Sequence, residues 1–448
     1  MRLIIRVLFS ILLSGFLVSQ IHCTSNEAHL IKDPDLEKEI RIVIGKQHGD
    51  ISIEDLEQVT ELKVISFNNI SSLEGVQHCI NIELIDIRVN QISNLSPLSE
   101  LTKLEELCLD QNELRDISPL RKLTNLKRLS LKSNDIQDIN PLQWLTNLQE
   151  LDISQNKIDD ISPLSELGDL TKLDISVNKI TDISALTALN QLIELDISMN
   201  DIDDISVVGS LTSLDLLYMA SNYIYDISSI TSLINLSTLY VNNNKITDIS
   251  SLSELKNLFE LVLSSNEITD LSPLSTLTGL ERLYISGNKL IDISPLSELY
   301  NLRELALDLN YISDISPLSQ LTNLKDLCLS FNSIRDLSPL ENLNLSRLEL
   351  ASTEIKDISS IISEMASLKI LKLDFNLIDD LSPLVALSNI EYLTLLDNQI
   401  SDISPLTMCQ GMSANDVIDL WGNPLSNDSI EIYIPELEKK GVWVRYDR

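Results

Sequence analysis

Residues 151–200 read LDISQNKIDDISPLSELGDLTK, then LDISVNKITDISALTALNQLIE, then LDISMN. Leu151, Leu173 and Leu195 stand 22 residues apart, and so do Asn156, Asn178 and Asn200. With the Asn as position zero, steps of 22 from Asn68 reach Asn90, Asn112, Asn134, Asn156, Asn178, Asn200, Asn222, Asn244, Asn266, Asn288, Asn310 and Asn332. The register then shifts: Thr353 follows after 21 residues, Asn376 after 23, Asn398 after 22 and Asn423 after 25. The 17 units share the pattern L-x-x-L-x-L-x-x-N-x-I-x-D-I-S-P-L-x-x-L-x-x. A fixed period of 20–50 residues is the signature of a solenoid, in which each unit buries its apolar face only against its neighbours.

The consensus carries its own physical explanation. L-x-L alternates apolar and polar, as a half-buried strand does, and the next unit sets its strand alongside in parallel at about 4.8 Å. Asn then stands where the chain turns inward and its backbone N–H and C=O groups leave the sheet. Its side-chain amide offers both donors and an acceptor to those groups. Thr353 has only a hydroxyl, so a local weak point is expected there. D-I-S-P-L fits a tight helical turn, with Pro at an early helical position and Asp or Ser capping free N–H groups. Pro stands at 97, 119, 141, 163, 273, 295, 317 and 339 but is replaced by Ala185, Val207, Ser229 and Ser251, where a less rigid outer wall is expected.

This repeat resembles the leucine-rich repeat family, and its 22-residue length and I-x-D-I-S-P-L phrase look most like the internalin class. The same repeat class includes the regulatory subunit of type-1 protein phosphatase. The resemblance covers residues 34–448 and implies an α/β repeat solenoid. The implied shape is a right-handed superhelix, with a curved parallel β-sheet on its concave face and short 3-10 or helical turns on its convex face. The expected organisation is a signal peptide over 1–23, a helical N-terminal cap over 24–61, repeats over 62–425 and a C-terminal cap over 426–448. Internalins usually continue into immunoglobulin-like and wall-anchoring segments. None follows here, so wall attachment is not expected.

The ends agree with caps. Leu36, Ile40, Val43 and Ile44 recur at helical spacing behind Asp33, and a second short helix is expected from Ile53 to Val59. Near the other end a helix from about Asn427 to Lys440, a Gly441 stop and a strand Val442–Tyr446 are expected. Arg2 and Arg6 precede an apolar run, Val7 to Val18, as in a secretory leader. Three outcomes stand open: cleavage near residues 23–25, lipidation of Cys23, or an uncleaved anchor. The resemblance to bacterial lipoproteins is imperfect, because His22 and Gln20 occupy the positions where that motif wants a small and an apolar residue.

The net charge of −34 argues against nucleic acid and anionic membranes as partners. A membrane association would depend on lipidation at Cys23. The four histidines all lie at or before His78, so no Ser-His-Asp or Cys-His arrangement can sit within the later repeats. Phosphate-binding glycine loops and H-E-x-x-H are lacking too, which points away from an enzyme, a cofactor or a metal site. Cys79 and Cys409 occupy apolar core positions. Cys108 and Cys328 lie on the strand face ten repeats apart, beyond disulfide reach.

Two carboxylate columns recur. Asp116, Asp138, Asp160, Asp182, Asp204, Asp226, Asp248 and Asp270 follow the Asn by four, and read as caps of the convex turn or as cation ligands. Asp152, Asp174 and Asp196 precede it by four on the strand face, and read as a solvated surface or a recognition site for a cation or basic partner. Downstream the same offset becomes Tyr218, Tyr240, Val262 and Tyr284, with Leu309 and Phe331 at a flanking offset. Aromatic residues are 4% of the chain, so their alignment marks either strand packing or a partner-binding patch. The leading expectation is an exported or surface-associated protein-binding module that works through its concave face. The alternative is an intracellular regulatory scaffold of the phosphatase-subunit kind.

Overall fold

The computed structural model describes residues 30–64, 69–359, 365 and 367–447. The expected leader, Cys23 and Asn68 lie outside these residues. Among those described, eighteen three-residue strands run from Glu61–Lys63 to Trp443–Arg445, each pairing in parallel with the next. The register follows the period: Leu151 faces Leu173 and Leu173 faces Leu195. It absorbs the irregular steps by pairing Leu327 with Leu348 and Leu348 with Leu371. The central Leu or Ile of nearly every strand is buried, while its two neighbours are half-exposed. One contiguous apolar core therefore runs the length of the solenoid between the sheet and the outer turns.

The Asn column holds the inward turns. Asn200 Oδ1 accepts from Ile180 N at 3.0 Å, and its Nδ2 donates to Ile175 O at 3.1 Å and Ile197 O at 3.2 Å. One amide thus satisfies its own turn and the preceding one, and the arrangement repeats at Asn222, Asn244, Asn266, Asn288, Asn310 and Asn332. At the irregular step, Thr353 Oγ1 donates to Leu350 O at 2.8 Å. Asn376 Oδ1 takes over the acceptor role for both Thr353 N and Ile355 N, at 3.1 and 3.0 Å. Thr353 presents no acceptor to Ile334 N, so one bond of the column is lost there and the 23-residue unit supplies most of the rest.

The residue before each column Asn is left-handed. Val89, Gln111, Ser133, Val177, Leu309, Phe331 and Phe375 have φ between 54° and 58°. A left-handed residue other than glycine costs roughly 1–2 kcal/mol. Only Gly287 and Gly422 occupy this position without a Cβ. The turn is set by the Asn bonds and tolerates what the sequence places in it.

Short 3-10 helices form the outer wall, and the Asp column starts them. Asp182 Oδ1 accepts from Ser184 N at 2.8 Å, and Asp116, Asp160, Asp226, Asp248 and Asp270 repeat the contact. Ser184–Ala188, Ser206–Ser210, Ser228–Ser232 and Ser250–Glu254 keep the five-residue 3-10 form of Ser162–Glu166 without its proline. A second Asn ladder runs along the outer side: Asn125, Asn147, Asn235 and Asn257 donate through Nδ2 to Thr102, Thr124, Thr212 and Ile234 carbonyls at 2.7–3.0 Å.

The first helix, Pro34–Val43, buries Leu36 and Ile40, whereas Val43 is exposed. Its cap Asp33 accepts from Leu36 N through Oδ1 and from Ser71 N through Oδ2, which ties the helix to the first turn. The second helix is shorter than expected, Ile53–Leu56, and is closed by a Ser52–Asp55 capping box. At the other end a π-turn, Ser429–Tyr433, runs into the helix Ile434–Lys439. Gly441 at φ 87° stops it before the strand Trp443–Arg445.

The two ladders differ in burial, and so in energetic weight. Asn222→Ala orphans the buried Ile202 N–H and is expected to cost about 3 kcal/mol, whereas Asn235→Ala at the exposed ladder costs under about 1 kcal/mol. Urea denaturation of the two variants measures the contrast; equal losses would remove the Asn column from its central role.

Candidate functional site

Strand register turns the two concave features into one row. Asp152 faces Asp174, then Asp196, Tyr218, Tyr240, Val262, Tyr284 and Ala306 in succession. These residues point away from the core from adjacent strands, so the acidic and aromatic stretches meet at Asp196 and Tyr218.

The acidic stretch lines a groove of ≈ 300 Å³ with Cys108, Glu150 and Tyr218. Asp152 and Asp174 each accept two bonds from the Ser two residues on, the hydroxyl contacts both at 2.6 Å. Asp196 accepts from Ser198 N at 2.8 Å. The bases lining the groove pair with glutamates rather than with the Asp row, Lys172 with Glu194 of the same groove at 3.0 Å and Arg128 with Glu106, while the charge of Lys132 attracts Asp152 and Asp196. Burial pushes the Asp152 and Asp196 carboxyls above the ordinary carboxylate range, and the charge of Asp174 adds to the effect. Serine bonds work in the other direction and do not cancel it. Burial, with the nearby Asp86 and Asp110 charges, also pushes the Cys108 thiol up to about 11, far from a nucleophilic thiolate at neutral pH. Among the described residues no group of three or more His, Cys, Asp or Glu side chains converges as a metal-holding set.

The tyrosines are half-buried rather than free-standing. Tyr218 and Tyr240 pack edge to face with ring centroids 5.1 Å apart. The Tyr240 hydroxyl donates to Glu260 and that of Tyr284 to Glu304. Arg282 bridges the two acceptors, at 3.1 Å to Glu260 and 3.2 Å to Glu304. Burial and the Glu260 bond push the Tyr240 phenol up to about 12, so it remains a neutral donor. Strand packing therefore fixes the rings, Tyr240 and Tyr284 through Glu260 and Glu304 and Tyr218 through its edge contact with Tyr240. Glu260, Arg282 and Glu304 were readable as an alternation six residues before the column Asn. Their meaning emerges only when register sets them beside the tyrosines.

Leu309 and Phe331 stand apart from this row. They occupy the left-handed turn position at the rim of the sheet, 57% and 50% exposed. Tyr311, Phe375 and Leu377 join them there, at 66%, 53% and 50%, and were not singled out in sequence. The signal that could have found them was the offset: Phe375 precedes its Asn as Phe331 does, and Tyr311 and Leu377 follow theirs by one.

Comparison with known proteins agrees with this architecture. A family model described as leucine rich repeats matches residues 102–144, 124–166, 168–210, 210–254, 256–298 and 300–342, together more than half of the chain. Comparison with curated proteins gives no match. Among solved structures, the internalin InlF of Listeria monocytogenes is 33% identical over 76% of this chain and 95% of its own, with a TM-score of 0.70. A leucine-rich repeat protein of Leptospira interrogans is 24% identical over 88% of this chain and 97% of its own, with a TM-score of 0.71. A plant peptide hormone receptor, RGFR1 in complex with RGF2, is 19% identical over 88% of this chain and 81% of its own, with a TM-score of 0.60. With its 22-residue period, its Asn column and this coverage, the chain belongs to the leucine-rich repeat family, in its internalin-like class.

Proposed function

We propose that this protein is a non-enzymatic binding module, exported or surface-associated, that recognises a protein partner through the concave row from Asp152 to Tyr284. The observation that carries the reading is the continuity of that row. A half-buried acidic stretch, in which Asp152, Asp174 and Asp196 form no ion pair among the described residues and only the charge of Lys132 attracts Asp152 and Asp196, runs directly into a tyrosine row in which Glu260 and Glu304 hold Tyr240 and Tyr284 and Tyr240 packs on Tyr218. Tyrosine fits interfaces because it brings large rigid area at low entropic cost, with a polar tip to fix register. Charge adds the expectation of Lys or Arg on the partner opposite Asp152, Asp174 and Asp196. Leucine-rich repeat proteins are protein-binding modules, and the plant receptor RGFR1 is one seen in complex with a ligand. No described feature favours the intracellular scaffold. Among the described residues no helix is long and apolar enough to cross a membrane.

The acidic row is held at a cost to the fold. A carboxyl whose folded pKa lies above its unfolded value disfavours the charged form, so stability falls as pH rises through that interval and stays lower above it. Asp196→Asn keeps the acceptor for Ser198 N and removes the buried charge. It is expected to raise the melting temperature at pH 7, with the gain shrinking as the pH falls through the raised range of the Asp196 carboxyl and vanishing once the group is protonated in both folded and unfolded chains. A gain that is unchanged at low pH, or a loss at pH 7, contradicts that assignment.

Replacing Tyr218, Tyr240 and Tyr284 together by Ala should weaken capture of the protein partner by at least about 100-fold, the loss expected of hot-spot tyrosines. Circular dichroism should stay unchanged. Binding that survives with the fold intact would exclude the tyrosine row. Export is read from the intact mass of protein recovered from its native host. A chain lacking about 23 residues outside the cytoplasm is expected, and a full-length cytosolic chain would restore the scaffold reading.

A further inference from the structure

We propose that the rim formed by Leu309, Tyr311, Phe331, Phe375 and Leu377 is a second docking surface, separate from the concave row, and that it takes a basic amphipathic helix of a partner protein. The inference rests on reading the chain as a protein-binding module but uses a different face.

The first support is a conflict between local conformation and residue type. The position before the column Asn is left-handed throughout, and most repeats place Gln111, Ser133, Ser221, Asn243, Ser265 or Gly287 there, which are small or polar. Val89, Val177 and Met199 are apolar there in earlier repeats, but only the later repeats place two aromatic rings and a leucine within four successive units, Leu309, Phe331 and Phe375 at φ 56°, 57° and 57°. Each remains about half exposed, so burial gives little in return for the strained backbone. Violations of a local rule without structural gain collect at functional positions.

The second support is spacing. Successive repeats lie about 4.8 Å apart. Leu309 and Phe331 are one repeat apart, and Phe331 and Phe375 are two, with Ser352 between them. Separations of about 5 and 10 Å match the i to i+3 or i+4 and i to i+7 spacing of apolar anchors on one face of an α-helix.

The third support is charge, which selects the occupant. Asp308 and Asp374 lie on the concave side of the stripe, and the Asp column continues on its outer side as Asp314, Asp336, Asp357 and Asp380. The bases beside it are already paired, Arg335 with Glu354 at 2.8 Å and Lys356 with Asp379 at 3.0 Å. An apolar stripe fenced by carboxylates fits a helix whose apolar face is flanked by Lys or Arg. A second copy of this chain would bring two such fences together, and an anionic bilayer would be repelled by them.

The test uses three labelled 18-residue peptides in fluorescence anisotropy: an amphipathic Leu/Lys helix, the same pattern in Leu/Glu, and the Leu/Lys composition scrambled. The protein variants are Phe331→Asn with Phe375→Asn, since Asn tolerates a left-handed backbone, and the triple Tyr→Ala variant of the concave row. Wild type and the tyrosine variant should bind the Leu/Lys helix alike and ignore the other two peptides. The rim variant, which loses two anchors, should bind it at least about tenfold more weakly, a loss that either anchor alone would account for. Its melting temperature should equal or exceed that of wild type.

Equal binding of the helix by the rim variant, equal binding of the scrambled peptide, or a lowered melting temperature would each overturn the inference. Loss in the tyrosine variant alone would move the peptide to the concave row and refute the rim while leaving the proposed function standing. A wild-type dimer in sedimentation that the rim variant abolishes would also refute it, by making the stripe a contact between copies.

Discussion

Everything in this molecule depends on how one side-chain amide satisfies backbone that has left the sheet. Each strand is three residues long and then turns toward the core, where unpaired N–H and C=O groups are expensive. The column Asn supplies acceptor and donors at that point and reaches into the preceding unit. It therefore fixes the stacking distance as well as the turn. With that constraint met, the apolar columns are buried along the whole length, and the strand residues on the other side of the sheet are freed to vary. The same bonds impose the left-handed residue before each Asn, which places certain side chains on the rim at a conformational cost.

The division of labour follows from this. Inward positions are almost invariant in character, Leu or Ile at nearly every one, because neighbouring units must interlock. Outward positions carry what differs between repeats: aspartates in the units around 152–196, tyrosines in those around 218–284, and a mixed Glu349–Arg347–Lys372 cluster further on. Along such a solenoid the exposed chemistry changes in steps of one repeat. Its concave row is unbroken in register from Asp152 to Ala306 and forms a single surface.

The period made most of the fold legible in the sequence. The strands, the Asn turns, the Asp-capped outer turns and both end helices follow from residues with distinctive backbone or capping roles. Less legible were features that arise between repeats. Half-burial of the tyrosines depends on Glu260, Glu304 and Arg282 arriving beside them through strand pairing. The left-handed turn is not legible in the sequence because Val89 and Val177 occupy it, and β-branched residues give no hint of positive φ. The outer Asn ladder was present as the recurring T-N-L of Thr124–Leu126, Thr146–Leu148 and Thr322–Leu324, but its bonds run to carbonyls 23 residues back, which no local pattern reveals. The rim residues shared this fate, since each alone is an unremarkable exposed side chain.

The most direct test of the account is native-state hydrogen exchange at the amides bonded to the Asn column. Ile158, Ile180, Ile202, Ile224 and Ile246 N–H groups lie in turns outside the sheet and would exchange quickly if the turns were ordinary loops. The account predicts protection equal to that of the adjacent strand amides, with a local drop at Ile334, where Thr353 interrupts the column. Fast exchange at these isoleucines, alongside protected strands, would show that the turns are held by something other than the amide column and would contradict the account.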